Sequence, residues 1–139
     1  MQIRGYALPD ELHYTRDHAW VRVEGVRLRV GITDVMQQLA GPITFIRLPR
    51  EGKNLEGGKT LASLQSGKWA GKVLTPSPAL VVEVNRGLTT DPAPLNSDPY
   101  GRGWIALLEP EDVAATLVGL LHGADVEPWL LAELEAHGE

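Results

Sequence analysis

The stretch Trp20-Val-Arg-Val-Glu-Gly-Val-Arg-Leu-Arg-Val30 decides the fold class of this 139-residue chain. Valine or leucine alternates with arginine on both sides of Glu24-Gly25, and a two-residue period is typical of a strand with one apolar face. Glu24-Gly25 itself is suited to a tight turn between two strands. We therefore predict a β-hairpin with strands at 20–23 and 26–30 and a solvated arginine face.

The composition extends the β prediction to the rest of the chain. Fifteen glycines and ten prolines are many for this length, which is typical of short strands joined by turns. Apolar residues make up 43% and charged residues 22%, which is ordinary for a globular protein of a size that buries its own core. We expect one domain over 1–139, with a core at about 14–109 and a C-terminal helical extension at about 110–137.

Charge and residue content exclude several classes of function. The formal net charge of −5 argues against nucleic acid, because its binders normally present a basic field. The chain has no cysteine, which excludes disulfide scaffolds, thiolate metal sites and a cysteine nucleophile. His13 and His18 supply too few ligands to predict a metal site. No signal-like N-terminus and no long apolar run is present, so we expect a cytoplasmic protein without membrane contact.

Further elements are predicted on both sides of the first hairpin. Thr33 or Asp34 can cap a short helix that has Leu39 on its apolar side and ends at Gly41. Strands are predicted at 43–49, 60–65, 73–76, 80–85 and 103–108, with a polar turn at 51–58 and a structured loop at 87–102.

The C-terminal part of the chain changes from strand to helix periodicity. A short helix is predicted at 110–118, and a second one begins after Asp125. The apolar side chains of this second helix recur at helical spacing; they are Val126, Trp129, Leu130 and Leu134. We expect this stripe to dock on the β-sheet core, and a partner-binding helix is the alternative.

Lys68 is the residue with a candidate chemical role. It lies in Leu64-Gln-Ser-Gly-Lys-Trp-Ala-Gly-Lys-Val-Leu-Thr-Pro76, where Gly67 and Gly71 bracket it between two predicted strands. A lysine at a hairpin tip is exposed, as an enzyme that modifies its amine would need. An ordinary surface lysine in a turn has the same pattern, so the residues alone leave both interpretations open. Trp69 beside it is expected to be partly exposed, either as a partner contact or as a lid over the base of an attached arm.

The order and spacing of several motifs resemble the glycine cleavage H-protein family. These motifs are Tyr14-Thr-Arg-Asp-His-Ala-Trp-Val21, Val30-Gly-Ile-Thr-Asp34, Gly41-Pro-Ile-Thr-Phe-Ile-Arg-Leu-Pro49, Thr75-Pro76, Val82-Glu-Val-Asn85, Leu95-Asn96 and Asp98-Pro-Tyr-Gly101 with Gly103-Trp104. The resemblance runs from about Tyr14 to the last helix. It implies an all-β fold with short helices: a lipoyl-domain-like sandwich of two antiparallel sheets, or barrel-sandwich hybrid, with peripheral and C-terminal helices.

The same resemblance implies a carrier function. In the family, the lysine at the position of Lys68 carries lipoate in amide linkage, added by a lipoate-attaching enzyme. The dithiol accepts an aminomethyl group during glycine decarboxylation by the P protein, delivers it to the folate-dependent T protein, and is reoxidised by the flavoprotein L. The chain would then be a carrier component without catalytic residues of its own. The alternatives are an H-like carrier for lipoate relay or sulfur-group transfer, and an unmodified H-like binding module.

Several residues near the expected arm depart from the family pattern. The family usually has Glu where Gln65 stands, Glu where Ala19 follows His18, and Asp where Lys72 stands. In the family, the carboxylates at the positions of Ala19 and Lys72 help to hold the cationic amine of the cargo. We therefore expect a weaker hold on an aminomethyl group in this chain.

Two further departures flank Lys68 directly. Gly67 and Trp69 replace small or aliphatic residues of the family. Attachment of lipoate needs mainly an exposed lysine on the right hairpin, so we still expect lipoate on Lys68.

Overall fold

A computed structural model describes residues 1–67 and 69–136 and contains two antiparallel sheets that share one core. In spatial order, the larger sheet consists of β3 (His13–Tyr14), β4 (Ala19–Glu24), β5 (Arg27–Ile32), β11 (Ala106–Pro110), β10 (Ala79–Val84) and β7 (Asn54–Leu55). The second sheet, here called the hairpin sheet, consists of β6 (Ile43–Arg47), β8 (Thr60–Ser66) and β9 (Ala70–Leu74). A separate ribbon pairs β1 (Gln2–Ile3) with β2 (Tyr6–Ala7).

Short helices connect and cover the sheets. They are α1 (Asp34–Ala40), α2 (Gly87–Thr90), α3 (Pro94–Ser97), α4 (Val113–Val118) and α5 (Val126–Ala136), the last preceded by a 3-10 turn at Gly123–Asp125. The predicted sandwich with peripheral and C-terminal helices is confirmed. None of the helices in the described ranges is long and apolar enough to cross a membrane.

The predicted ends of α1 are confirmed by its caps. The Thr33 hydroxyl accepts a hydrogen bond from the Met36 N–H at 3.2 Å. Gly41 has a φ of +71° and its N–H donates to the Gln37 carbonyl, which is a conformation that favours glycine. The prediction for Leu39 is wrong, because its side chain is 47% exposed.

The first predicted hairpin is confirmed, with small changes at its turn. Gly25 has a φ of +67°, and Val26 belongs to the turn instead of a strand, with 67% of its surface exposed. The polar segment 51–58 contains β7, and the loop 87–102 contains α2 and α3. Elements of two to four residues are too short to show a periodicity.

The first core fills the space between the two sheets. Ala19, Val30 and Ile32 contribute from the larger sheet, while Ile46 and Leu64 contribute from the hairpin sheet. All five are at most 2% exposed. Burial of such side chains is the main stabilising contribution to a sandwich, at about 25 cal/mol for each Å² removed from water.

A second core covers the other face of β4, where the arginines were expected to meet only solvent. Trp20 is completely buried there, together with Leu8 and Leu12 from the N-terminal segment and Leu130 and Leu134 from α5. The docking of the C-terminal helix on the sheets is therefore confirmed. Buried residues also occur outside the predicted 14–109 core.

The arginines of this face are partly covered as well. Arg22 donates to the Tyr100 carbonyl at 2.7 Å. Arg29 forms an ion pair with Glu24 at 2.7 Å and lies 4.4 Å from the centre of the Trp104 ring. The prediction of a simply solvated arginine face is wrong, because segments distant in sequence fold over it.

Two histidine rings stack where the N- and C-terminal segments meet. The rings of His13 and His122 lie 4.0 Å apart at an interplanar angle of 12°. Nδ1 of His122 donates to the Leu12 carbonyl at 2.8 Å. Burial of the His13 ring, and then the proximity of His122, lower the pKa of His13.

We expect acidification from about pH 7.5 to about pH 5.5 to lower the free energy of unfolding, with part of the loss arising from His13. Its pKa in the folded protein lies below the ordinary value of 6.5. At pH values between the folded-state pKa of His13 and 6.5, the unfolded chain binds more protons than the folded chain. The stabilisation is therefore complete above about pH 6.5 and is lost as the pH falls through this window.

Urea unfolding at both pH values measures this effect. His13→Phe keeps an aromatic ring against His122 but does not titrate at position 13. This variant should lose less stability on acidification than the wild-type protein. An equal loss in the two proteins would contradict the assignment to His13.

Candidate functional site

The strands β8 and β9 form the hairpin in which Lys68 was predicted to lie. Leu64 pairs with Gly71 and Gln65 with Ala70. The Ser66 N–H donates to the Trp69 carbonyl at 2.8 Å and closes the connection between the strands. Lys68 itself lies outside the described residues. The connection between the strands is shorter than predicted, because β9 begins at Ala70 instead of residue 73.

The residues beside Lys68 leave room for attachment chemistry. Gly67 and Ala70 are exposed. A Cβ atom built on Gly67 would have no heavy atom within 4 Å outside its chain neighbours. A modifying enzyme could approach this end of the hairpin, so the flanking residues fit a prosthetic group attached between them.

A surface groove begins next to this end of the hairpin. Ile43 of β6 pairs with Ser66 of β8, and its N–H donates to the Asn96 side chain at 2.9 Å. The groove has a volume of about 890 Å³ and runs between this strand and the helices α1 and α3. Its lining includes Gln37, Gly41, Ile43, Thr44 and Asn96. A flexible arm from the hairpin end would meet an apolar surface with amide groups there.

Trp69 folds against the body of the protein. Its ring is partly buried and packs on the first core. A Cβ atom on Gly71 would lie only 2.3 Å from Cη2 of the Trp69 ring, so this close approach requires glycine. Trp69 is thus partly exposed, as predicted, and it also covers the core at the base of the hairpin. Its role as a partner contact or as a lid over an attached arm stays a prediction.

A carboxylate that the sequence analysis missed contacts β9. Oδ2 of Asp17 accepts a hydrogen bond from the Leu74 N–H at 3.0 Å. The loop that holds Asp17 is closed by two bonds between Thr15 and Ala19, at 2.9 and 3.0 Å. The hairpin is therefore tied to the start of β4. Because the bond joins residues 57 positions apart, no local pattern indicated it.

His18 connects three elements behind this loop. Its Nδ1 lies 3.3 Å from the Thr33 hydroxyl, and its Nε2 contacts the Glu133 carboxylate of α5. The hydroxyl accepts from the Met36 N–H, so it can donate to Nδ1, which leaves Nε2 to donate to Glu133. The ring is also 4.9 Å from that of Trp129. His18 and Glu133 thus fix the start of β4 against α1 and the C-terminal helix.

The remaining predicted arm neighbours lie in different surroundings. Ala19 is completely buried in the first core. Gln65 and Lys72 are exposed on the outer face of the hairpin sheet. The structure therefore brings Gln65, Trp69 and Lys72 onto one hairpin, while Ala19 belongs to the facing sheet.

Known proteins resemble this chain in sequence. The sequence profile of the family "Glycine cleavage H-protein" matches residues 12–131. The "Glycine cleavage system H protein" of Halalkalibacterium halodurans is 38% identical over 91% of this chain and 97% of its own length. The "Glycine cleavage system H protein" of Coprothermobacter proteolyticus is 47% identical over 74% of this chain and 82% of its own length. "Glycine cleavage system H protein 4" of Aquifex aeolicus is 41% identical over 79% of this chain, which spans 64% of that protein.

A solved structure resembles it in three dimensions. The crystal structure of a glycine cleavage system H protein from Mycobacterium marinum has a TM-score of 0.77 and 28% sequence identity, over 91% of this chain and 98% of that one. The two facing sheets and the β8–β9 hairpin thus define the class of lipoyl-domain-like sandwiches. Within that class, the chain belongs to the glycine cleavage H-protein family. Proteins of this family are carriers with lipoate on a lysine, and they work with the P, T and L proteins.

We expect Gly71→Ala to displace the Trp69 ring and to lower the free energy of unfolding by about 1–3 kcal/mol, the usual cost of overpacking. Gly67→Ala in the same hairpin is the matched control, since its new methyl group meets open space. Urea unfolding followed by tryptophan fluorescence measures both changes.

A double-mutant cycle tests the cause of this effect. In a Trp69→Ala background, Gly71→Ala should be nearly neutral, because the atoms that the methyl group meets are gone. A cost that stays the same in this background would show that the ring is not responsible.

Proposed function

We propose that this protein is a cytoplasmic lipoyl carrier of the glycine cleavage system, with lipoate in amide linkage on Lys68. The observation that carries the proposal is the sequence position of Lys68 between β8 and β9, where Gly67 and Ala70 are exposed and Gly67 has open space around it. The P, T and L proteins and a lipoate-attaching enzyme are then its partners. The protein acts by presenting the arm, and its partners perform the catalysis.

The chain's own residues would position this arm. When bound, lipoate supplies the dithiol that takes up an aminomethyl group and releases it to the next enzyme. The pairing of β8 with β9 and the Ser66–Trp69 bond hold the two ends of the connection. Packing of Trp69 on the first core and the Asp17–Leu74 bond keep the hairpin on the body. The groove that begins at Ile43 offers a surface on which the aliphatic part of the arm could rest.

The surroundings of Ala19 and Lys72 support a weak hold on an aminomethyl group. A methylene-linked amine is cationic at neutral pH, and carboxylates are its natural ligands. Ala19 presents only a buried methyl group, and Lys72 adds a positive charge to the hairpin. This charge also supports a second candidate function, an H-like carrier for lipoate relay or sulfur-group transfer, whose cargo is not a cation.

We expect intact-mass analysis of protein from its own host to show one lipoyl group, and Lys68→Arg to abolish it. Arginine keeps the positive charge but cannot form the amide. Lys59→Arg and Lys72→Arg are the matched controls and should stay modified. Peptide mapping that placed the group on Lys72, or a native protein without lipoate, would overturn the proposal.

We expect Lys72→Asp to lengthen the lifetime of an aminomethyl group on the lipoylated protein about two- to fivefold, since an exposed ion pair contributes on the order of 0.2–1 kcal/mol. Lys59→Asp makes the same charge change at another exposed lysine and should have a smaller effect. Ala19 is left unchanged, because a carboxylate buried at that position would destabilise the core. Release of the group from both loaded variants, followed by mass, gives the comparison. An equal lifetime in the two variants would contradict the role of position 72.

A further inference from the structure

The charges of this chain are distributed unevenly. All four lysines lie between positions 53 and 72. Residues 43–74, which contain the hairpin sheet, have six Lys and Arg and two Asp and Glu, for a formal charge of +4. The total formal charge is −5, so the rest of the chain has a formal charge of −9. An acidic protein thus has a local excess of positive charge in the region that surrounds Lys68 in sequence.

The register of the hairpin sheet places part of this charge on one exposed face. Phe45, Gln65 and Ala70 form one cross-strand row beside the connection at 67–69. Arg47, Ser63 and Lys72 form the next row on the same face, about 7 Å further from the connection, because alternate residues of a strand share a face. Of these six residues, only Ser63 is not exposed, and Phe45 shows 51% of its surface.

The cations of this face are available to a partner. Arg47 and Lys72 take part in none of the ion pairs found among residues 1–67 and 69–136. Glu51, one of the two acidic residues of the region, is engaged elsewhere, because it pairs with Arg86 and accepts from the Val84 N–H at 3.0 Å. The three strands themselves contain no Asp or Glu.

We propose that this face, with Phe45, Arg47, Gln65 and Lys72, docks the lipoate-attaching enzyme through a carboxylate-rich surface around that enzyme's active site. The proposal rests on lipoate attachment at Lys68. An enzyme that encloses this side chain must cover the residues next to the connection, since a specific interface occupies about 800 Å² on each partner. The second cross-strand row falls within such an area.

The features of the face favour a protein partner over a nucleic acid. An exposed aromatic ring between polar residues and a few cations is typical of protein interfaces. The rest of the chain has a formal charge of −9, which would repel a polyphosphate at longer range. Opposite charges at the rim of an interface act mainly on the association rate and its dependence on salt. Arg47 and Lys72 should therefore affect the rate of lipoylation more than the final extent of lipoylation.

The test compares two variants that lose the same charge. Arg47→Gln with Lys72→Gln removes two cations from the face. Arg27→Gln with Arg102→Gln removes two cations elsewhere, whose side chains are 45% and 80% exposed. The unlipoylated proteins are incubated with the host's lipoate-attaching enzyme, and initial rates and end points are measured by intact mass at low and high salt. Circular dichroism confirms that both variants are folded.

We expect the face variant to lower kcat/KM for lipoylation about tenfold at about 20 mM salt, through a higher KM, and by less than about twofold at about 500 mM salt, where charges are screened. The control variant should change kcat/KM by less than about twofold at either salt. All proteins should reach complete lipoylation at long times, because Lys68 is intact.

The possible outcomes separate this inference from the proposed function. Complete lipoylation with equal rates for the two variants would overturn the docking face alone. Binding of duplex DNA at about 150 mM salt that the face variant abolishes, with lipoylation unchanged, would assign the face to a nucleic acid. Absence of lipoylation on the wild-type protein would overturn both the proposed function and the docking face.

Discussion

The contact between Trp20 and Gly31 is the constraint on which the rest of the structure depends. Trp20 pairs with Gly31 across β4 and β5, and a Cβ atom on Gly31 would lie 2.5 Å from the indole nitrogen. The indole ring of Trp20 can therefore lie flat on the sheet. The large apolar face of the ring that points away from the sheet must then be covered by other segments. The indole N–H donates to the Pro99 carbonyl at 2.8 Å, and α5 with the N-terminal segment completes the second core.

The two cores meet at the loop between Thr15 and Ala19, and this loop determines the position of the hairpin. Ala19 faces the first core, His18 contacts α1 and α5, and Asp17 binds the backbone of β9. His18 has a φ of +69°, a conformation that is rare outside glycine. These contacts place the hairpin and the C-terminal helix on two sides of the same short loop. The terminal helix therefore contributes to the site although it is distant from it in sequence.

Sequence patterns predicted the parts of the fold that have local causes. The strands β4, β5, β8 and β10 and the caps of α1 follow from alternation and from single residues such as Thr33 and Gly41. Motif order also indicated the family. Contacts between distant segments were not predictable, and they include the cover over the arginine face, the Asp17–Leu74 bond and the His18–Glu133 pair. The packing of Trp69 on the core and its need for Gly71 also depend on tertiary structure.

The distribution of lysines has a practical consequence for chemical coupling. Every side-chain amine lies between positions 53 and 72. The α-amine of Met1 donates a hydrogen bond to the Leu8 carbonyl at 2.8 Å and forms an ion pair with Asp10 at 3.2 Å. An amine-reactive ester on a solid support would thus capture the molecule through the side that holds the hairpin sheet. The helix α5 and the second core would face the solution. Immobilisation through lysine side chains would favour orientations in which the surface that carries the hairpin faces the support.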